Sequence, residues 1–183
     1  MRLFIGLPIP AERANTLTRH ARIISLSKAR WTAPENIHLT LVFLGEVAEQ
    51  KLPSIKHELD ELHAAPVPIK LTNLNTFPRA GVLVADVDPT PPLLHLQSQI
   101  AARMTRCGFP PEDRPYHPHI TLARFHGTLR LTKTQRSLPA SLQHTFIADT
   151  VNLYRSNLTP AGPHYEILIQ KKSSKSNQPT PHS

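Results

Sequence analysis

Short apolar runs alternate with polar and turn-forming residues along this chain of 183 residues. Some runs are continuous or place apolar residues at every second position, which is typical of β-strands. Glycine and proline close most of these runs, as expected where a chain turns. Strands therefore dominate the predicted secondary structure. They are Leu3–Ile9, Ile37–Leu44, Val67–Phe77, Val82–Val87, Ile120–Phe125, Thr150–Tyr154 and Tyr165–Ile169.

Three other segments repeat apolar residues at helical spacing, which predicts helices over Ala11–Leu26, Lys51–Leu62 and Pro92–Met104. With 39% hydrophobic residues, the chain can bury one core but is short for two independent domains. Residues 171–183 are polar and cannot bury enough surface to offset the entropy of ordering. We therefore expect one domain over residues 1–170 and a flexible polar tail over residues 171–183.

Composition narrows the possible partners. Lysine and arginine total 21 against 13 acidic residues, a formal charge of +8 that favours polyanions such as RNA. Cys107 is the only cysteine, which excludes an internal disulfide and a cysteine-rich zinc site. No run reaches the roughly 20 apolar residues that span a bilayer, and no signal-peptide pattern is present. We expect a cytoplasmic protein that does not bind membranes.

A histidine, an apolar residue and a threonine occur in this order at two distant places, His38–Thr40 and His119–Thr121. Side chains alternate between the faces of a strand, so the histidine and threonine of each motif point the same way. If the two strands belong to two similar half-sheets that face each other, both imidazoles and both hydroxyls converge on one cleft. The repeat therefore predicts a two-fold active site.

Such a site suits displacement at phosphorus, which needs one group to deprotonate the nucleophile and another to protonate the leaving oxygen. Histidine, with an ordinary pKa of about 6.5, can serve in either role. The hydroxyls of Thr40 and Thr121 can donate to the phosphate oxygens, and Arg124 can add a charged contact. Strict alternation, however, places Arg124 on the face opposite Thr121, so its reach depends on a bulge or a turning strand.

Two other groups of polar residues receive no catalytic role. His117 and His119 suggest a metal pair, but no Asp, Glu or Cys accompanies them at ligand spacing and Pro118 restricts the backbone. We expect no metal site. Asp86 and Asp88 resemble a carboxylate pair, yet Asp88 precedes a proline in a turn signal. We expect both aspartates to be loop residues.

The motifs and their flanking residues resemble the two-histidine phosphoesterases, most closely the bacterial and archaeal RNA 2',3'-cyclic phosphodiesterases once called 2'-5' RNA ligases. The resemblance implies an α+β, bilobal fold in which two pseudo-symmetric antiparallel half-sheets face a central cleft with helices outside. It also implies hydrolysis of RNA 2',3'-cyclic phosphate ends to 2'-phosphates without a metal or cofactor. The matching segments are Arg2–Leu7, Arg30–Trp31, Asn36–Val47 and Pro118–Arg124.

By the same resemblance, His38 is the proton donor to the departing 3'-oxygen and His119 is the proton acceptor that activates water. The sequence itself does not assign this direction. Two alternatives remain open: 2'-5' joining of RNA ends at the same site, and a non-catalytic RNA or nucleotide-binding module. We expect a monomer whose partner is RNA or a nucleotide carrying a 2',3'-cyclic phosphate.

Overall fold

The computed structural model describes residues 1–26, 28–159 and 162–174. Its strands are β1 (Arg2–Pro8), β2 (Arg30–Trp31), β3 (His38–Glu46), β4 (Val67–Ile69), β5 (Leu71–Phe77), β6 (Val82–Val87), β7 (His119–Arg124), β8 (Phe146–Ala148), β9 (Thr150–Thr159) and β10 (Gly162–Lys172). Its helices are α1 (Ala11–Ala21), α2 (Leu52–Asp60), α3 (Pro91–Arg106), α4 (Lys133–Arg136) and α5 (Ala140–Gln143).

One large sheet has the order β10-β9-β1-β3-β7-β6-β5, with β2 also paired to β7. All neighbouring strands in it are antiparallel. In the described residues β3 and β7 share a single register pair, Leu39 opposite Ile120. This pair joins two half-sheets, β10-β9-β1-β3 and β7-β6-β5, while β4 and β8 form a separate ribbon. The α+β fold with two antiparallel half-sheets is therefore confirmed.

The two half-sheets repeat one arrangement. In the first, β1 leads through α1 to β3, which lies antiparallel beside β1. In the second, β6 leads through α3 to β7, which lies antiparallel beside β6. The two His-x-Thr motifs open β3 and β7, which are the strands that meet at the junction. The sequence repeat is thus a structural repeat.

A single hydrophobic core runs beneath both halves. Leu39 and Ile120 are completely buried, whereas the histidine and the threonine of each motif are only half-buried. Helices α1 and α3 direct their buried residues, among them Leu17 and Ile100, into the same core. Burial of each large side chain contributes about 1.5–3 kcal/mol, so this core fixes which face of β3 and β7 remains open. No helix in the described ranges is both long and apolar enough to cross a membrane.

Several elements differ from the predicted ones. Helix α1 ends at Ala21 instead of Leu26, and Ile23 beyond it is 75% exposed. The predicted strand Val67–Phe77 is divided between β4 and β5, which belong to different sheets. Strands β2 and β8 were not predicted, because two or three residues are too few to show a period.

The predicted boundary at residue 170 falls inside β10. Lys171 and Lys172 pair with Val151 and Thr150 of β9, and the N–H of Ser173 donates to the carbonyl oxygen of Asp149. These backbone bonds do not require apolar side chains, which is why composition placed the boundary too early. The remainder of the predicted tail, residues 175–183, lies outside the described residues.

Candidate active site

The two motifs lie side by side at the junction of the half-sheets. With Leu39 opposite Ile120 in an antiparallel pair, His38 lies level with Thr121 and His119 with Thr40. Since residues at alternate positions share a face, all four polar side chains lie on the face opposite the core. Cβ atoms directly across such a pair are about 4.5–5.5 Å apart. The four residues that the sequence predicted to converge are therefore brought together.

Both imidazoles are held by the same backbone contact. Nδ1 of His38 lies 2.7 Å from the carbonyl oxygen of Asn36, and Nδ1 of His119 lies 2.7 Å from that of His117. A carbonyl oxygen only accepts, so Nδ1–H is the donor in each ring. Each neutral ring therefore carries its lone pair on Nε2. In His38 this atom lies 3.0 Å from the hydroxyl of Thr40, which donates to it.

His38 lies among aromatic rings. Its ring centroid is 4.6 Å from that of Phe4, 5.7 Å from that of Tyr154 and 5.1 Å from that of Tyr165. Burial lowers the pKa of His38 to about 4, the bond to Asn36 opposes this, and His119 lowers it further. The unliganded protein therefore keeps this imidazole neutral at neutral pH.

His119 is in a less enclosed position. Its ring packs edge to face on Phe77, with centroids 5.0 Å apart. Burial lowers the pKa of His119 and His117 lowers it further, while the bond to the His117 carbonyl and the charge of Asp86 act in the opposite direction. Both imidazoles are thus depressed in pKa, and only His119 has a carboxylate working against that depression.

Asp86 was predicted to be a loop residue and this is wrong. It lies in β6 directly opposite His119. One carboxylate oxygen lies 3.1 Å from Nε2 of His117, and the other accepts from Nδ2 of Asn75 at 3.0 Å. Its place in the alternation of β6, between buried Ala85 and Val87, was the signal that could have located it. Asp88 does lie in the loop after this strand, where its carbonyl oxygen accepts from the N–H of Thr90.

Arg124 returns to the open face through a β-bulge. Val84 pairs with Thr121 but Leu83 pairs with Ala123, so Leu122 is an extra residue in β7. Leu122 and Ala123 are both buried, and the alternation resumes one position later with Arg124 exposed. The condition that the sequence left open is therefore met.

The charge of Arg124 also acts on the other half-sheet. Burial raises the pKa of the Tyr165 phenol, and the positive charges of Arg124 and Arg2 partly oppose this rise. Tyr165 in turn lies against His38 and lines a cavity of about 440 Å³ together with Asn36, Asn152 and Tyr154. The rings around His38 therefore come from its own half-sheet, and the charge of Arg124 acts on one of them from the other half-sheet.

Two further residues position β3. The phenol of Tyr116 donates to the carbonyl oxygen of Thr40 at 2.8 Å, and burial raises its pKa. Gly6 of β1 pairs with Thr40, and a Cβ at Gly6 would lie 2.7 Å from the carbonyl oxygen of Leu39. The close approach of β1 to the first motif thus requires a residue without a side chain. Neither role was visible in the sequence, because both depend on which strands are neighbours.

The described residues contain no group of three or more His, Cys, Asp or Glu side chains arranged to hold a metal ion. His117 and Asp86 form a pair, and Nδ1 of His119 is bonded to the backbone carbonyl oxygen of His117. The groups that the structure places on this face are the two imidazoles, the two threonine hydroxyls, the Asp86 carboxylate and the Arg124 guanidinium.

Comparisons with known proteins give a consistent result. The family model of the 2'-5' RNA ligase superfamily matches residues 10–160. The RNA 2',3'-cyclic phosphodiesterase of Methanocaldococcus jannaschii is 30% identical over 179 residues, covering 92% of this chain and 98% of that protein. That of Thermus thermophilus is 31% identical over 181 residues, covering 92% and 88%. The crystal structure of Escherichia coli LigT complexed with 3'-AMP superposes with a TM-score of 0.83 at 24% identity, covering 95% and 98%. This last likeness concerns the fold alone.

Proposed function

The chain belongs to the 2'-5' RNA ligase superfamily, among the RNA 2',3'-cyclic phosphodiesterases, and on this premise we propose that it hydrolyses RNA 2',3'-cyclic phosphate ends to 2'-phosphomonoesters. The observation that carries the proposal is the placement of His38 and His119 on one face of β3 and β7, with Nδ1 of each ring bonded to backbone. This arrangement turns both Nε2 atoms towards the open face, where that of His38 accepts from the Thr40 hydroxyl until a phosphate binds between the motifs. No metal ion and no cofactor enter the proposed reaction.

In the proposed reaction a water molecule attacks phosphorus while Nε2 of His119 takes its proton. The bond from phosphorus to the 3'-oxygen breaks, and Nε2 of protonated His38 gives its proton to that oxygen. The products are a 2'-phosphate and a 3'-hydroxyl, and a proton passes from His119 to solvent and from solvent to His38 before the next turnover. Each positioned acid or base typically contributes about 10²- to 10⁴-fold in rate.

Three other side chains bind the phosphate in this proposal. The hydroxyls of Thr40 and Thr121 donate to the non-bridging oxygens from the same face as the imidazoles. Arg124 adds a charge-assisted contact, which the bulge in β7 makes possible by returning it to that face. These donors matter most as negative charge builds up on phosphorus during attack.

The protonation states follow from the surroundings of the two rings. Because burial depresses the pKa of both imidazoles, the unliganded site is mostly neutral at neutral pH. An anionic phosphate placed between them stabilises the protonated form of either ring. Substrate binding therefore draws a proton into the site. Once Nε2 of His38 carries that proton, the hydroxyl of Thr40 no longer donates to it and donates to the phosphate instead, which leaves the N–H for the 3'-oxygen.

Hydrolysis of a nucleoside 2',3'-cyclic phosphate, followed by phosphorus NMR, tests the proposal. We expect a 2'-phosphate as the product, a rate that a chelator does not change, and losses of at least about 100-fold for His38→Ala and for His119→Ala. His95→Ala, at an exposed position of α3, is the matched control and keeps full activity. Full activity in either motif variant would overturn the assigned roles.

Joining of RNA ends at the same site is a second candidate function, since the superfamily to which the chain belongs is named for 2'-5' RNA ligation. It reverses the cleavage of a 2'-5' phosphodiester, with a 5'-hydroxyl in place of water. An RNA with a cyclic phosphate end and a second RNA with a 5'-hydroxyl distinguish the two reactions by product length. A non-catalytic binding module would instead retain RNA binding in the double histidine variant and show no turnover in the unsubstituted protein.

We also propose that the protein acts as a monomer in the cytoplasm on RNA or nucleotides carrying this end. Both motifs come from one chain, which supports a site that needs no second copy. The single free cysteine, Cys107, is consistent with a reducing compartment. Sedimentation at micromolar concentration with and without a cyclic nucleotide tests the oligomeric state.

A further inference from the structure

A second cavity, of about 490 Å³, lies beyond the end of β7. Its lining includes four cations, Lys28, Arg30, Arg79 and Arg124, and no aspartate or glutamate among the described residues. All four side chains are exposed, and none forms an ion pair within the described part of the chain. The cavity is therefore a concentration of positive charge without protein counter-charges.

Two of these cations are placed against each other. Arg30 of β2 lies directly opposite Arg124 of β7 in an antiparallel pair. Like charges across such a pair destabilise it. An anion bound between the two guanidiniums would remove this repulsion, whereas a structural role for the pair would call for a carboxylate on one strand.

The wall that carries Arg79 is held in place by backbone contacts. Gly81 has a φ of +61°, and a Cβ there would lie 2.5 Å from the carbonyl oxygen of Phe125. The N–H of Phe125 donates to the carbonyl oxygen of Gly81 at 2.8 Å. The turn Pro78–Ala80 is thus fixed against the end of β7 before any ligand binds.

The cavity and the proposed phosphate site lie along the same strand, since Arg124 of β7 lines the cavity. Arg124 follows Thr121 by three residues, about 10 Å along a strand at 3.3 Å per residue. A cyclic phosphate is the 3' end of an RNA, so the rest of that RNA leaves the site from its 5' side. The next phosphates of the same chain therefore need a binding surface within this reach.

We propose that this cavity binds the internucleotide phosphates just upstream of the reacting end, so that the protein prefers an oligonucleotide to a mononucleotide. The inference rests on the proposed function and deepens it by naming the substrate class. Arg30 and Arg79 carry this preference, because Arg124 also serves the reacting phosphate. Phosphate contacts of this kind do not read the base, so the preference is independent of upstream sequence.

A matched substrate series tests the proposal. The value of kcat/KM is measured for a nucleoside 2',3'-cyclic phosphate, for a trinucleotide with the same end, and for that trinucleotide with uncharged methylphosphonate linkages. We expect the charged trinucleotide to exceed the other two by about tenfold or more at low salt. In the double variant Arg30→Gln, Arg79→Gln this ratio falls towards one, whereas Lys56→Gln on the exposed side of α2 keeps it. Equal values for charged and uncharged linkages, or an unchanged ratio in the double variant, would overturn the proposal.

A binding measurement tests this inference independently of the proposed function. The affinity of a fluorescent trinucleotide ending in a 2'-phosphate is followed by anisotropy at several salt concentrations. We expect the double variant to bind more weakly. The slope of the logarithm of the binding constant against the logarithm of the salt concentration should also be smaller in magnitude by about one to two. If no cyclic phosphate is hydrolysed but this difference is present, the proposed function fails and the phosphate-binding cavity stands. If hydrolysis proceeds and the salt slopes are equal, the phosphate-binding role of the cavity is refuted and the proposed function stands.

Discussion

His38 and His119, on strands from opposite half-sheets, direct Nδ1 at the carbonyl oxygen two residues earlier in the chain, in both cases at 2.7 Å. The repeated bond fixes the same tautomer in both rings and presents Nε2 to the open face. The two rings differ in their surroundings. His38 lies among Phe4, Tyr154 and Tyr165, whereas His119 has a carboxylate across the strand pair.

This difference determines which of the two imidazoles binds a proton more readily. In the unliganded protein the ring with the lower pKa is His38, with a value of about 4, because burial acts on it most strongly. The proposed reaction nevertheless needs the proton on His38. The productive form is therefore a minority of the singly protonated molecules until the anionic substrate binds.

A substrate with sulfur in place of the 3'-oxygen tests that direction. A thiolate leaves without a proton, so the acid becomes dispensable while the base does not. We expect His38→Ala to recover most of its lost activity on the 3'-thio cyclic substrate and His119→Ala to recover none, as followed by thiol release. Recovery confined to His119→Ala would reverse the two roles. Thr121→Val, which loses a proposed phosphate contact, is the control and should be equally impaired on both substrates.

The pH dependence of kcat/KM follows from the two depressed pKa values. The site needs one proton, which it loses as pH rises above the higher of the two values, and its base is lost as both rings become protonated near pH 4. For a mononucleotide whose chemical step limits the rate, we expect a bell-shaped profile of kcat/KM with its maximum between about pH 4 and 6.5. The alkaline limb of kcat should lie at higher pH, since bound phosphate raises both values. A flat profile from pH 5 to 9 is incompatible with the paired mechanism.

Much of the site face could be predicted from two short patterns. Leu39 and Ile120 are buried at the junction, and this alone places His38 and His119 on the opposite face. The halves of the fold could be recognised because the motif recurs in equivalent strands. Strand β2, by contrast, contains two residues and forms because β7 supplies its partners, so its sequence has no period to detect.

The position of Arg124 shows what local patterns leave undetermined. One extra residue, Leu122, reverses the phase of β7, and nothing in its apolar side chain distinguishes it from a regular strand residue. Asp86 was misplaced for a related reason, since its importance comes from the strand beside it. Contacts between strands that are distant in sequence are therefore the part that the sequence did not supply.

Stability should fall in acid because His38 is buried as the neutral form. Its folded pKa is about 4 and its ordinary value is 6.5, so the unfolded chain binds more protons as pH falls below 6.5. We expect the free energy of unfolding to drop by about 2 kcal/mol between pH 8 and pH 5 from this group. Urea unfolding of His38→Gln at the two pH values should show that much less loss, whereas His95→Gln should keep the full dependence. Equal losses in all three proteins would mean that His38 is not protected from protonation.

The close approach of β1 to β3 makes Gly6 sensitive to one added methyl group. Because the new Cβ would meet backbone at 2.7 Å, Gly6→Ala must displace the strand that carries His38 and Thr40. We expect a loss of about 1–3 kcal/mol in unfolding free energy together with a lower kcat/KM. Gly45→Ala is the control for backbone strain without displacement of a neighbouring strand. Gly45 has a φ of +69°, so alanine is strained there, but the new Cβ would meet only the Phe43 side chain, at 4.0 Å. If Gly6→Ala loses stability but keeps its activity, Gly6 does not position the residues of the site.

Tyr116 holds Thr40 through a single hydrogen bond, so its effect on activity should pass through that residue. Tyr116→Phe removes the donor to the Thr40 carbonyl oxygen, and we expect kcat/KM to fall by about fivefold, the equivalent of about 1 kcal/mol. In a double-mutant cycle with Thr40→Val, the two losses should be clearly less than additive. Tyr154→Phe, whose hydroxyl contacts Asn152, should add fully to Thr40→Val. Additive losses for Tyr116→Phe would assign it a structural role independent of Thr40.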